Sequence, residues 1–508
     1  MSAESVRIRL EPLAVEIATP RGASLAASLA DHGVEFPCGG AGICGGCGVR
    51  VLAGSLPVTN ADREAFSADQ LEQGWRLACQ ASAETSLVLE CGQWHMDVLT
   101  DRAALAGAGK RGLGIAIDLG TTTIAAQTID MASGNVLAVE TEINPQAAFG
   151  ADVMSRIRAA LHGADLTTVI RETLGKTVAR LADGRGDEIA EVILVGNTVM
   201  HHLFSGRSVE PLAHTPFASP DLGVQSFTPR ELGWMLPASC SIRFAHCLGG
   251  FVGSDILVGI VATGMTRGED LIALVDLGTN GEIAIGNRHG VVCASTAAGP
   301  AFEAGTIRMG MRAATGAISH VVFDDGTMKA TVIGGVEPRG ICGSGLVDAA
   351  AAGLCSGAIL GSGRIADGTK RLPLAGPVVL YQSDIRELQL AKGAITAGFR
   401  LLLRRIGADY GSLKSIYLAG AFGNYVRIES AIRIGLIEAP RALVHAAGNT
   451  ALRGAKMLLL SNEEPALPPI HHVSLAADRD FEDEFANCMK FPEAASEGAR
   501  LAPAGSGI

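Results

Sequence analysis

Cys38, Cys44 and Cys47 stand at a C-x5-C-x2-C spacing in FPCGGAGICGGCGVRVLAG, and Cys79 follows alone in RLACQ. A pair of irons bridged by two sulfides needs four thiolates, two to each iron. The interleaved glycines let backbone amides approach the sulfurs where a Cβ would block them, and such hydrogen bonds tune a cluster's potential. Zinc is the other reading of clustered cysteines. Zinc sites usually pair two C-x2-C knuckles, and only one is written here. The glycine density and the distant single cysteine favour a 2Fe–2S cluster on Cys38, Cys44, Cys47 and Cys79. Cys91, after the last strand of this segment, reads as a structural thiol.

A second chemistry is written twice. AIDLGTTT (116–123) and LVDLGTNGE (274–282) each run an apolar strand into an aspartate, a glycine turn and threonines. Asp118 and Asp276 at the strand ends can hold Mg²⁺. Gly120 and Gly278 open backbone N–H groups to phosphate oxygens, and Thr121, Thr122, Thr279 and Asn280 add polar side chains at the same turns. One such turn is a weak signal; two at the heads of two similar stretches are a strong one.

IYLAGAFGNYV (416–426) is a further strand, glycine turn and helix, in which Gly420 and Gly423 would admit a purine or ribose. GICGSGLVDA (340–349) opens a helix with Gly343 and Ser344, which we place near the same nucleotide; Cys342 there reads as a small buried residue. No G-x4-G-K-[ST] loop is present, which removes the ordinary P-loop ATPases. Glu282 and Glu303 are the acidic candidates to position a water, with a structural role equally open for both. His201 and His202 in TVMHHLF lack ligand partners at helical spacing and read as packing residues. LPPIHHV (467–473) is at best a weak metal tract.

These residues need particular elements to hold them. VRIRLEPLAVEI (6–17) reads as a hairpin, ASLAASLADHG (23–33) as a helix, and 48–52 and 86–90 as strands, with Ser67 and Gln70 forming a capping box for the short helix between. This gives a compact unit over 1–95, then a linker over 96–112. From Leu113 strands alternate with helices: 113–118, 122–129, 136–140, helices near 151–162 and 166–182, and a strand at 191–195. The pattern restarts at 271–276. We therefore expect one lobe over 113–268, a similar one over 269–490, and a disordered tail over 491–508.

The 508 residues suit two to four domains of about 100–200 residues. With 48% hydrophobic residues, 64 glycines and 4% aromatics, an α/β protein with many tight turns is favoured. The formal net charge is −11 and no Lys/Arg run occurs, so a nucleic-acid partner is not expected. MSAESVRIRL has no apolar signal region and no run approaches a membrane span, so no membrane association is expected. Eleven cysteines, most of them scattered, fit a reducing cytoplasm.

The first segment resembles a plant- or adrenodoxin-type ferredoxin of β-grasp fold, with a first gap closer to the adrenodoxin spacing. The duplicated aspartate turns resemble the acetate and sugar kinase/Hsp70/actin superfamily, in which nucleotide sits between two RNase H-like lobes. Along almost its whole length the chain resembles the reductive activators of corrinoid-dependent enzymes. VGNTVMHHLFSG (195–206), AAGPAFEAGTIRMGM (297–311), DIRELQLAKGAI (384–395), LAGAFGNYV and FEDEFANCMKFP (481–492) carry that resemblance.

The resemblance implies a two-part activity. One electron passes from the cluster to an adventitiously oxidised Co(II) corrinoid in a methyltransferase system, restoring Co(I), and ATP hydrolysis drives the step. Plant-type clusters sit near −400 mV, roughly, and every ~59 mV of one-electron deficit costs tenfold in equilibrium. An acceptor far below that stays oxidised unless a conformational change shifts it. The implied partners are a corrinoid protein and an electron-donating reductase. Family members can be dimers, and the sequence leaves the oligomeric state open. Ser295, Thr296 and Glu303 in the 296–310 loop are candidates to grip the corrinoid protein, or equally a structural turn. Two alternatives remain: an ATP-driven electron donor to an acyl-CoA dehydratase or reductase, and a non-catalytic redox-sensing nucleotide-binding protein.

Overall fold

The computed structural model describes residues 5–11, 15–30, 47–66, 68–91, 105, 107, 109–150, 152–278, 280–461, 466–475 and 478–492. Cys38, Cys44, Thr279, the Ser67 cap, most of the 96–112 linker and the tail from 493 lie outside them.

Strands β1 (Ser5–Glu11), β2 (Val15–Pro20), β3 (Gly48–Ala53), β4 (Trp75–Leu77) and β5 (Leu87–Cys91) form a mixed sheet in the order β2-β1-β5-β3-β4. The hairpin read over 6–17 is the β1/β2 pair, with Ile8 opposite Ile17. Alternation along SVRIRLE buries Val6, Ile8 and Leu10 on one face, as a half-buried strand requires. They pack with Leu77, Leu87, Leu89 and Cys91, and this core also takes in Ile143 from the next domain. Cys91 is thus a core side chain.

The next sheet runs through β6 (Leu113–Leu119), β7 (Thr123–Asp130), β8 (Val136–Ile143), β9 (Ile189–Val195), β10 (Gln225–Phe227) and β11 (Ser241–Phe244) in the order β10-β11-β9-β6-β7-β8. β6, β7 and β8 are an antiparallel meander; β9 and β11 join parallel. The third sheet repeats the plan. β12 (Leu271–Leu277), β13 (Gly281–Asn287) and β14 (Gly290–Thr296) make the meander. β15 (Ala317–Asp324), β16 (Thr327–Val332) and β17 (Gly340–Ile341) form a separate small sheet, and β18 (Arg371–Ala375) and β19 (Val378–Tyr381) a hairpin. β20 (Leu413–Ala419) and β21 (Val444–Gly448) then join parallel, and β22 (Ile470–His472) adds at the far edge. The shared order, β8-β7-β6-β9-β11 and β14-β13-β12-β20-β21, makes the two lobes a duplicated RNase H-like unit.

Side-chain size in β6 explains how the lobes are joined. In LGIAIDL the large Leu113, Ile115, Ile117 and Leu119 share one face and one core. The opposite face offers only Gly114, Ala116 and Asp118. Helix Thr450–Leu460, from far along the chain, packs on that flat face through Leu452, Ala455 and Leu459. A Cβ on Gly114 would lie 2.6 Å from a Leu459 methyl. The same helix packs on Ser254–Ala262, where Gly454 meets Val258 so closely that a Cβ would overlap it. Two helices thereby span the lobe boundary.

Of the 96–112 segment, Leu105 donates its backbone N–H to Gly134 O at 3.4 Å. The Lys110 Nζ donates to Leu459 O at 2.9 Å, at the C-terminal end of Thr450–Leu460, where a cation is favoured. Among the described residues no helix is long and apolar enough to cross a membrane.

Candidate functional site

Cys47 and Cys79 meet beside the ferredoxin core. Cys47 is buried and immediately precedes β3; Cys79 lies in the single turn Ala78–Gln80 that follows β4. The backbone N–H of Ala78 donates to Cys47 O at 3.1 Å, that of Cys79 to Cys47 Sγ at 3.4 Å, and Gln80 Nε2 to Cys79 Sγ at 3.5 Å. Asp62, almost fully buried, caps helix Asn60–Ala65 with Thr59 and accepts from Leu77 N–H at 2.7 Å, which fixes the approach to Cys79. Two adjacent thiol sulfurs, each already taking an N–H donor, suit thiolate ligation of a cluster.

The two aspartate turns face each other across the lobes. Asp118 ends β6 and Asp276 ends β12, one residue before each strand stops. Asp255, in the first turn of Ser254–Ala262, and Glu282, near the start of β13, complete a group of four carboxyls. The three aspartates keep a solvent-facing edge; Glu282 is buried. Burial lifts the Asp118 carboxyl to about 6, opposed by the Asn449 hydrogen bond. Burial and then Asp118 lift Asp276 to about 7. Burial, then Asp276 and, more weakly, Asp118, lift Asp255 to about 8. Glu282 is pushed well above the carboxylate range by burial and then by Asp255 and Asp276, against the Ser295 hydroxyl that donates to it at 3.2 Å. Four acids that raise one another's affinity for positive charge form a place for cations and for proton transfer.

Both turns are braced. Asn144 donates through Nδ2 to Gly120 O at 2.9 Å and through its backbone N–H to Thr122 O at 2.9 Å. Asn197 donates to Thr121 Oγ1 at 2.8 Å while capping Thr198–Ser205. In the second turn Gly278 N–H donates to Asn280 O at 3.0 Å. Gly420, at φ +78°, opens helix Gly420–Tyr425 beside Asp276: a Cβ there would lie 2.5 Å from Asp276 Oδ1. Only glycine fits both the conformation and the contact. Gly423 packs back on Leu418 of β20. Gly343 opens helix Gly343–Ser356 against the Phe302 carbonyl, and Ser344 Oγ donates to Ser319 O at 3.0 Å. Cys342 is buried.

Ser295 and Thr296 end β14, and their hydroxyls donate to Glu282 and to Gly281 O. Both hydrogen bonds brace the second turn. Glu303 lies in the turn Pro300–Glu303, within electrostatic range of Arg156 on helix Val153–Leu161. His201 and His202 are fully buried, His201 edge-on to Phe244 at 5.0 Å.

Asp255, Asn144, Asn197 and Asn449 were not legible as site residues. Each comes from a segment without a phosphate-loop pattern. The glycine run GGFVGSD before Asp255 is the nearest to a signal: Gly253 packs so closely on Gly196 O that no Cβ fits.

Three family models match consecutive parts of the chain: the 2Fe–2S iron–sulfur cluster binding domain at residues 8–84, the RACo middle region at 113–268, and the C-terminal domain of RACo, the ASKHA domain, at 270–500. Over 411 residues the chain is 35% identical to the corrinoid activation enzyme RamQ of Eubacterium limosum, covering 73% of this chain and 69% of the relative. The chain belongs to the family of reductive activators of corrinoid-dependent enzymes. A second such relative, a reductase of Methanosarcina barkeri named for the Co(II) methylated amine-specific corrinoid protein, is 29% identical over 382 residues, 68% of this chain and 70% of that one. A solved reductive activator for corrinoid, iron–sulfur protein superposes with a TM-score of 0.64 at 26% identity, covering 96% of this chain and 98% of that one. In this activator the N-terminal domain is therefore a 2Fe–2S ferredoxin domain, and an ASKHA domain follows it.

Proposed function

We propose that the chain couples ATP hydrolysis to the transfer of one electron onto the Co(II) of a corrinoid protein in a methyltransferase system, regenerating Co(I). The observation that carries this reading is the convergence of Asp118 and Asp276 with Gly420 in one interlobe cleft, on a chain whose first domain is a ferredoxin. The names of the relatives support the corrinoid protein as substrate.

A 2Fe–2S cluster bound by Cys38, Cys44, Cys47 and Cys79 supplies electrons singly. The peptide N–H of Cys79 and the amide of Gln80 stabilise negative charge on the sulfurs. Asp118 and Asp276 would hold Mg²⁺ against the phosphates of ATP. The backbone N–H groups at Gly120–Thr122 would receive phosphate oxygens, and the turns at Gly420 and Gly343 would border the nucleoside. Asp255 and Glu282 would orient the attacking water and accept its proton.

Hydrolysis yields ADP and phosphate, and closure on ATP followed by opening supplies the strain that makes Co(II) accept the electron. A separate reductase recharges the ferredoxin domain, in keeping with a cytoplasmic setting. Hydrolysis should rise several-fold when a Co(II) corrinoid protein is added to the reduced chain. Cobalt reduction at the same rate with ATP omitted would overturn the proposal.

A further inference from the structure

Arg156 has none of its surface exposed. Its Nε donates to Gly150 O at 3.0 Å and its Nη1 points at Met200 Sδ, 3.7 Å away. Its Nη2 has no hydrogen-bond partner among the described residues. The carboxylates that act on it are Asp152 and Glu303, and neither is in an ion pair with it. Asp152 is already engaged, capping helix Val153–Leu161 through Ser155 N–H at 2.9 Å. A guanidinium buried with a donor unused is costly unless an anion meets it in some state of the molecule.

Position decides which anion. Met200 Sδ, which Arg156 touches, also takes the Asn144 Nδ2 at 3.4 Å, and that amide holds Gly120 O. Arg156 is thus one side chain behind the first phosphate turn. Glu303 belongs to the other lobe, in a turn clamped on the nucleoside side of the cleft. Phe302 stacks on Phe422 of helix Gly420–Tyr425, centroids 4.7 Å apart, and its carbonyl closes on Gly343. Ala304, next to Glu303, holds φ +60°, a left-handed conformation uncommon for alanine and found where surrounding contacts enforce it.

We propose that Glu303 closes onto Arg156 when ATP draws the lobes together, so that Arg156 is a positioning residue for the ATP-bound state. This rests on the reading that ATP binds between the lobes. A nucleotide lying on Gly120–Thr122 at one end and on Gly420 and Gly343 at the other fixes the frames of both side chains at once. Arginine suits the role because its planar fork takes a carboxylate through two N–H groups, shielded from water.

The test is ATP binding by titration calorimetry on the full-length chain with its cluster, comparing wild type, Arg156→Met, Glu303→Gln and the double variant. Each single variant is expected to weaken ATP binding about tenfold, and the double variant no more than the weaker single. That is a coupling of about tenfold, or 1.4 kcal/mol. Losses that multiply in the double variant would overturn the proposal. If Arg156→Met does not fold, Glu303→Gln decides alone: tenfold weaker ATP binding with unchanged melting of the nucleotide-free chain supports it, and wild-type affinity overturns it. A wild-type chain that binds no ATP would overturn the functional reading as well, whereas normal wild-type binding with multiplying losses removes only the Arg156–Glu303 pair.

Discussion

Asn449 donates through Nδ2 to Asp118 Oδ2 at 2.8 Å, across 331 residues of chain. Its Oδ1 accepts from Leu452 N–H at 2.7 Å and caps helix Thr450–Leu460. One side chain therefore ties the first aspartate turn to the helix that spans the lobe boundary. In the last turn of that helix, the Leu459 carbonyl takes the Lys110 ammonium from the segment leading out of the ferredoxin domain.

Replacing Asn449 with alanine removes the cap and the bond to Asp118 together. Loss of an N-cap costs about 1 kcal/mol, and we expect a drop of that size in unfolding free energy by denaturant titration. ATP should also bind more weakly, because Asp118 loses the donor that opposes its neutralisation. Unchanged nucleotide affinity would show that Asp118 is held by other means.

Asp255→Asn is expected to act in opposite directions on stability and on activity. It removes a carboxyl whose charged form burial and the neighbouring aspartates disfavour, so the chain without nucleotide should melt at a higher temperature. Steady-state ATP hydrolysis should fall by about 100-fold or more, the usual range for losing a proton acceptor. An Asp255→Asn chain that hydrolyses ATP normally would move the water-positioning role to Glu282.

Much of this site could be read from the chain, and the boundary follows contact order. Asp118 and Asp276 were legible because each shares a local strand–turn pattern, and the pattern occurs twice. Gly420 was legible for the same reason, though its contact with Asp276 was not. Asp255 and Asn449 carry no such pattern; topology alone brings them to Asp118. The Thr59–Asp62 capping box went unread because it sits in a polar loop, and the small sheets β15–β17 and β18–β19 interrupt the second lobe where no repeat of the first announces them.

Cys47→Ser and Cys79→Ser should each abolish the visible absorption of the 2Fe–2S cluster and lower bound iron in anaerobically purified protein. ATP binding should be retained in both, since neither side chain belongs to the aspartate turns. A full complement of iron in Cys79→Ser would remove it from the ligand set.

His201 gives the chain a sensitivity to acid. It is fully buried, its Nε2–H donates to Gly223 O at 3.0 Å, and burial, then His202, holds its pKa down to about 4. With the folded value below the ordinary 6.5, the unfolded chain takes the proton first as pH falls. The stability from neutral His201 is fully present above pH 6.5, declines as pH drops, and is fully lost below about 4. At pH 5 the loss is on the order of 2 kcal/mol. His201→Phe should flatten the fall in unfolding free energy between pH 7.5 and pH 5 by about that amount; an identical slope would contradict the assignment.

The central claim is that nucleotide hydrolysis makes an otherwise refused electron transfer to cobalt possible. Its most direct measurement is the visible spectrum of a Co(II) corrinoid protein mixed anaerobically with the reduced chain and either ATP or a non-hydrolysable analogue. The account predicts conversion to Co(I) with ATP and none with the analogue. Equal Co(I) formation in both would contradict it.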